Sequence, residues 1–149
     1  MSLSAEINAK IQVTETKLAE IDWILHDFCS RRGFTFRSFV GVWPRRAVRA
    51  REEIDRTLDL TMDLTVPEFF ALGFQPGMPW SLYATASLPV SQDYPSHVLS
   101  VDVFRRLPFS ELPGVLATRL EEGLTTLRKI NREDILSKGQ IYGEDGRAT

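Results

Sequence analysis

Apolar residues recur every three or four positions along the first thirty residues. The recurring positions are Ile7, Ile11, Thr14, Leu18, Ile21, Leu25 and Phe28. This spacing puts their side chains on one face of a helix. Ser4 suits the N-cap, Arg31 and Arg32 suit the negative C-terminal end, and Gly33 can adopt the conformation that ends a helix. The pattern therefore predicts a long helix over residues 4–32.

The predicted helix is long for the size of the chain. At its normal rise per residue it extends roughly 43 Å, whereas a compact domain of 149 residues is about 38 Å across. Its first turns can therefore fray, or Ile7 and Ile11 can serve as an arm that pairs two copies. Pairing through a free sheet edge is a second route to the homodimer that we expect.

A period of two replaces the helical period after Gly33. It predicts four strands, over residues 34–43, 56–65, 81–88 and 97–104. The second is the clearest. Its apolar side is Leu58, Leu60, Met62 and Leu64, and its polar side is Asp59, Thr61, Asp63 and Thr65. Strands that are polar on one side are typical of an antiparallel sheet covered on one face only.

A second helix is predicted from Ser110, with a stripe of leucines at helical spacing that includes Leu116, Leu120 and Leu124. The order of elements predicts an α+β fold, a two-layer sandwich in which a four-stranded antiparallel meander carries the two terminal helices on one face. We expect a single domain over residues 1–137 and a flexible glycine-containing tail over residues 138–149.

Composition narrows the class of protein. The chain is 43% apolar, with a net charge of −2 and a pI near 5.7, which is typical of a globular domain and disfavours general nucleic-acid binding. One Cys and two His leave little material for a disulfide framework or metal centre, so neither a metal nor a cofactor is predicted. No apolar run is long enough to span a bilayer, and the first twelve residues do not have the apolar core typical of a signal peptide, so we expect a cytoplasmic location away from membranes.

Asp22, His26 and either Cys29 or Ser30 are spaced to share one side of the first helix. An acid, a base and a nucleophile in a row suggest a catalytic triad, but productive triads usually converge from separate segments. We interpret these residues as a helix-flank pair beside a half-buried Cys. Among the acids of the sheet, Asp59, Asp63 and Asp102 are interpreted as a solvated polar face rather than a shared ion site.

Residues 43–51 combine Trp43 with four arginines, among them Arg45 and Arg46. They are interpreted as a charged connection between the first two strands, neutralised in part by the acids that follow. Arginine there can also grip carboxylate or phosphate with Trp43 as a stacking plane. An acidic partner protein and, less favourably, nucleic acid are the two ligands considered for this segment.

Residues 66–80 form the most unusual stretch, with three prolines and several aromatic residues but no regular period. We interpret it as a long apolar loop that completes the core, binds a partner, or lines a small-molecule pocket. The candidate binding residues of the chain are Trp43, Arg45, Arg46, Phe69, Phe70, Phe74, Trp80 and Tyr83.

No catalytic motif and no diagnostic motif of a known family is present. The sequence favours a non-catalytic protein-interaction domain, such as an adaptor, an inhibitor or an immunity-like protein, whose partner is another protein. One alternative is a small-molecule-binding protein or enzyme with its pocket between residues 66–80 and the sheet, using Trp43, Asp59, Asp63 or Tyr83. The other is weak nucleic-acid binding through residues 43–51.

Overall fold

The computed structural model describes residues 3–41, 44–51, 58–66, 79–88 and 96–142. The elements in chain order are α1 (Leu3–Arg32), β1 (Thr35–Phe39), β2 (Arg45–Arg51), β3 (Asp59–Thr65), β4 (Pro79–Leu88), β5 (Ser96–Pro108), α2 (Leu112–Arg128), α3 (Arg132–Lys138) and β6 (Gln140–Tyr142). Within the described residues, the strands form one antiparallel sheet in the order β1-β2-β3-β4-β5-β6. The predicted α+β class with an antiparallel meander is confirmed.

The predicted number of four strands is wrong. In the described part of the chain, five strands of five to thirteen residues are followed by a sixth of three residues. The missed strand is β2, which lies next to the edge strand β1 and which the sequence assigned to a charged connection. Its residues alternate between the faces, with Val48 fully buried while Arg45 and Arg49 are exposed. Because four of its seven residues are arginines, the alternation of buried and exposed positions in β2 was not recognised in the sequence.

Strand β3 shows the predicted alternation most clearly. Leu60, Met62 and Leu64 are at most 2% exposed, and Leu64 lies opposite Leu82 of β4. Side chains directly opposite one another in an antiparallel pair share a face. One face of the central sheet is therefore a continuous apolar surface.

This apolar surface belongs to one hydrophobic cluster that also includes residues of α1, α2 and α3. At Gly123 of α2 the helix approaches the sheet closely, because a Cβ there would lie 2.7 Å from Met62 Sδ and 3.1 Å from Val103 Cγ2. Helix α1 ends at Gly33, whose φ of +74° suits glycine and whose amide donates to the Cys29 carbonyl. None of the described helices is long and apolar enough to cross a bilayer.

The C-terminal part of the chain begins with a short 3-10 turn over Phe109–Glu111, so α2 starts slightly later than predicted. Asn131 and Asp134 then form a reciprocal capping box at the start of α3. Residues 140–142, which the sequence assigned to the tail, pair with β5 as β6. Residues 143–149 lie outside the described part of the chain.

Candidate functional site

Arginine side chains from β1 and β2 surround a shallow depression on the polar face of the sheet. We call this depression, which has a volume of about 250 Å³, the arginine site. Its lining residues come from β1, β2, β3 and β4, and they are Arg37, Phe39, Arg45, Ala47, Arg49, Asp59, Thr61, Asp63 and Ser87. The site therefore lies on the face opposite the hydrophobic cluster.

The strand pairing explains how these residues meet. Arg37 of β1 lies opposite Ala47 of β2, which lies opposite Asp63 of β3. Asp63 in turn lies opposite Tyr83 of β4, and Tyr83 lies opposite Asp102 of β5. A single row across the sheet thus runs from a cation at the β1 edge, through a carboxylate on the central strand β3, to a second carboxylate on β5.

Phe39 holds two of the arginines together. The Arg45 guanidinium carbon lies 4.0 Å from the centre of the Phe39 ring, and that of Arg37 lies 5.8 Å from it. Both distances fall within the range of cation–π contacts, which are worth about 0.5–1 kcal/mol at exposed sites. Two like charges are therefore placed around one aromatic ring at the edge of the sheet.

The charge of Arg49, the third arginine of the site, is already balanced by an acid of the protein. Arg49 Nη2 donates to Asp59 Oδ2 over 3.1 Å, and Asp59 is only 7% exposed. This burial departs from the expected solvated face, because the carboxylate is sheltered and bonded to an arginine. Asp102, by contrast, is exposed and pairs with Arg105 over 3.6 Å, as expected for a solvated acid.

Asp63 is a half-buried carboxylate within the arginine site. Burial raises the pKa of Asp63, and the charge of Arg45 acts in the opposite direction. Desolvation favours the neutral acid, whereas the nearby cation favours the carboxylate. Arg45 is therefore accompanied in the site by an acid that burial shifts toward its neutral form.

The chemistry of the arginine site follows from Arg37 and Arg45. A guanidinium presents several donors in a planar fork that matches the two oxygens of a carboxylate or phosphate. The guanidinium groups of Arg37 and Arg45 both lie against the Phe39 ring. The guanidinium groups of Arg37 and Arg45 are thus suited to binding an anionic group at the β1 side of the sheet.

The structure separates the residues that the sequence proposed for binding. Arg45 and Tyr83 lie on the polar face. Arg46 points to the opposite face, is 3% exposed, and donates to two carboxylates of α1. Trp80 is fully buried and packs edge-on against Phe109 at 6.1 Å. The other candidates, which are Trp43, Phe69, Phe70 and Phe74, lie outside the described residues.

Sequence reasoning missed Arg37, Phe39 and Arg49 as site residues. The available signal was the alternation of arginines along residues 45–51, which places Arg45 and Arg49 on the same face of a strand. Arg37 and Phe39 are likewise two positions apart, so they share a face of β1. Because residues 45–51 were interpreted as a connection, these four residues were not placed on the same face of two paired strands.

The three chemically suggestive residues of α1 have separate contacts. Asp22 binds Arg46, and the His26 ring lies 4.1 Å from that of Phe36. Burial raises the pKa of the Cys29 thiol to about 11, so it is protonated at neutral pH and a poor nucleophile. These contacts favour structural roles for Asp22, His26 and Cys29.

Within the described ranges, no group of three or more His, Cys, Asp and Glu side chains is arranged to hold a metal ion. No protein-family model, curated protein or solved structure matches this chain. The geometry of the site is therefore the basis for any functional conclusion.

Proposed function

We propose that the chain is a non-catalytic interaction protein that binds an acidic segment of a partner protein at the arginine site. The observation that carries this proposal is the placement of Arg37 and Arg45 around Phe39. On the polar face, the ion pairs formed among described residues involve Arg49 and Arg105. The Arg37 and Arg45 guanidinium groups lie against the Phe39 ring, and the charge of Arg45 also acts on Asp63.

The arrangement of the helices supports this choice of surface. Arg46, whose strand position is opposite that of Leu64, binds Glu15 and Asp22 of α1. Gly123 of α2 approaches Met62, two residues from Leu64. Both contacts belong to the apolar side of the sheet, so we infer that α1 and α2 cover this side together. The polar face is then the side of the sheet that these two helices leave to a partner.

The local charge selects an acidic ligand even though the whole chain has a net charge of −2. Opposite charges at an interface speed association and exclude partners of the wrong sign. A carboxylate side chain is small enough for a depression of about 250 Å³ and can bind a guanidinium in bidentate fashion. We therefore favour glutamate or aspartate side chains of a protein as the recognised groups.

The proposal is tested by affinity capture from nuclease-treated lysate of the native host. Wild-type protein should retain a partner that Arg45→Glu loses and that Arg119→Glu retains. Arg119 is the matched control, because it is a partly exposed arginine on α2, away from the arginine site. Capture of the partner by the Arg45→Glu variant, or an equal loss of capture by the Arg45→Glu and Arg119→Glu variants, would contradict the proposal.

The same depression gives one specific reason to consider a small anionic ligand instead. A ligand at a hundred times its dissociation constant would stabilise the protein by about 2.7 kcal/mol. A thermal-shift screen of small carboxylates and phosphates measures this directly. A hit abolished by Arg45→Glu would favour a small-molecule-binding protein, and a flat screen would favour the protein partner.

A further inference from the structure

The β1 edge of the sheet lies beside the arginine site and offers a second mode of recognition. Among the described strands, β1 pairs with β2 on one side only and is the terminal strand of the sheet. Thr35, Arg37 and Ser38 are exposed along it. An edge strand presents unpaired amide and carbonyl groups from alternate residues, to which an extended segment can add as a further strand.

The two faces of β1 specify the side chains of such a segment. Arg37 and Phe39 lie on the polar face, and an antiparallel segment would place a side chain about 5 Å from the Cβ of Arg37. An acidic side chain there meets Arg37 directly and has Phe39 as its diagonal neighbour, and the guanidinium of Arg45, from the next strand, lies over the Phe39 ring. On the other face, the half-buried Phe36 favours an apolar neighbour.

We propose, on the basis of the function proposed above, that the partner contributes an extended segment of alternating acidic and apolar residues, which adds antiparallel to the edge of β1 that no other described strand pairs with. Its acidic side chains bind Arg37 and Arg45 at the arginine site. Its apolar side chains pack beside Phe36. The partner is thereby recognised through main-chain hydrogen bonds at the edge and through charge on one face.

Charge complementarity also favours this occupant over a second copy of the chain. In a symmetric antiparallel pairing centred on Arg37, the Arg37 side chains of the two copies would lie opposite one another. Like charges directly opposite in a sheet are destabilising. An acidic strand replaces this repulsion by attraction.

Calorimetric titration of the full chain with a capped heptapeptide of alternating glutamate and valine tests the proposal. We expect saturable binding that weakens with salt, and an affinity reduced about tenfold or more by Arg37→Glu, because one cross-strand attraction becomes a repulsion. Arg119→Glu is again the control and should leave the affinity unchanged. A peptide with the glutamates gathered at one end keeps the charge but loses the alternation, and it should bind more weakly.

Two N-methylated peptides separate strand addition from attraction between charges. One is methylated at the glutamate amides and the other at the valine amides. Only one of these sets faces β1 in an added strand, so one peptide should lose binding while the other retains it. Amide hydrogen exchange should at the same time slow at alternate residues of β1.

Equal binding of the two methylated peptides would overturn strand addition but leave charge recognition at the arginine site intact. Failure of every glutamate peptide to bind would overturn the inference, while retention of an Arg45-dependent partner in affinity capture would still uphold the proposed function. A concentration-dependent dimer that is abolished by Arg37→Glu would assign the edge to a second copy and also overturn the inference.

Discussion

Replacing Arg46 by leucine should destabilise the protein more than any other arginine substitution in β2. Arg46 is 3% exposed, its Nη2 donates to Glu15 Oε1 over 2.8 Å, and its Nε donates to Asp22 Oδ1 over 2.9 Å. Removing the cation leaves two carboxylates of α1 without their counter-charge. The loss therefore affects the contact between α1 and the sheet.

The magnitude follows from the exposure of the carboxylates. Removing one member of a fully buried ion pair costs about 3–5 kcal/mol. The Glu15 and Asp22 side chains are 20% and 21% exposed, so water solvates them in part once Arg46 is gone. We therefore expect the Arg46→Leu variant to lose about 2–4 kcal/mol of the free energy of unfolding at neutral pH.

The neighbouring Arg45 provides a matched control. It is exposed on the opposite face and contacts the Phe39 ring, so Arg45→Leu should lose less than about 1 kcal/mol. Urea denaturation followed by circular dichroism measures both losses. Adding Glu15→Gln and Asp22→Asn to the Arg46→Leu variant should recover part of the stability, because amides do not need a counter-charge.

Equal losses for Arg45→Leu and Arg46→Leu, or no recovery of stability when Glu15→Gln and Asp22→Asn are added to Arg46→Leu, would refute the reasoning.

Four further substitutions test the site and the core by denaturation. Asp63→Asn should raise the free energy of unfolding at neutral pH and have little effect well below pH 4, because burial raises the pKa of the folded-state acid; a gain that is constant with pH would contradict this. Leu120→Ala should cost about 2–5 kcal/mol, since Leu120 is fully buried, and a loss below 1 kcal/mol would contradict its place in the core. Gly139→Ala should cost about 1–3 kcal/mol, because its Cβ would meet backbone carbonyl oxygens of α3 and β5. Gly114→Ala, where a Cβ meets nothing within 4 Å, should be neutral or stabilising, so equal effects at the two glycines would contradict the packing.

The repeats of apolar residues in α1 and β3 could be predicted from the sequence, because in each element burial of one face decides where the apolar residues stand. The apolar stripe of α1 and the alternation of Leu60, Met62 and Leu64 in β3 each mark a buried surface, and both were predicted correctly. The antiparallel meander followed from the short connections between half-buried strands. These features depend on residues close together along the chain.

The strand β2 was missed because its burial depends on distant residues. Arg46 is accommodated on the apolar face by acids that lie 24 and 31 residues earlier, and no local pattern reports such a pairing. The arginine site was missed for the same reason, since Arg37 and Arg45 meet at Phe39 only after β1 and β2 pair in register. Trp80 was proposed as a binding residue from its aromatic surroundings, yet it begins an apolar strand face and is buried.

The ion pairs of Arg46 also help to fix which side of β2 faces the helices. Arg45 and Arg49 stand on the polar side of this strand, whereas Arg46 stands on the apolar side with Val48 and Ala50, so shifting the strand by one residue would turn more cations toward the hydrophobic cluster. Glu15 and Asp22 add to this preference, since their carboxylates accept the one cation that the observed alignment places on the apolar side. Through Arg46, the acids of α1 thereby support the alignment that leaves Arg45 on the outer surface, so a helix that supplies no lining residue to the arginine site helps to keep one of its arginines in place.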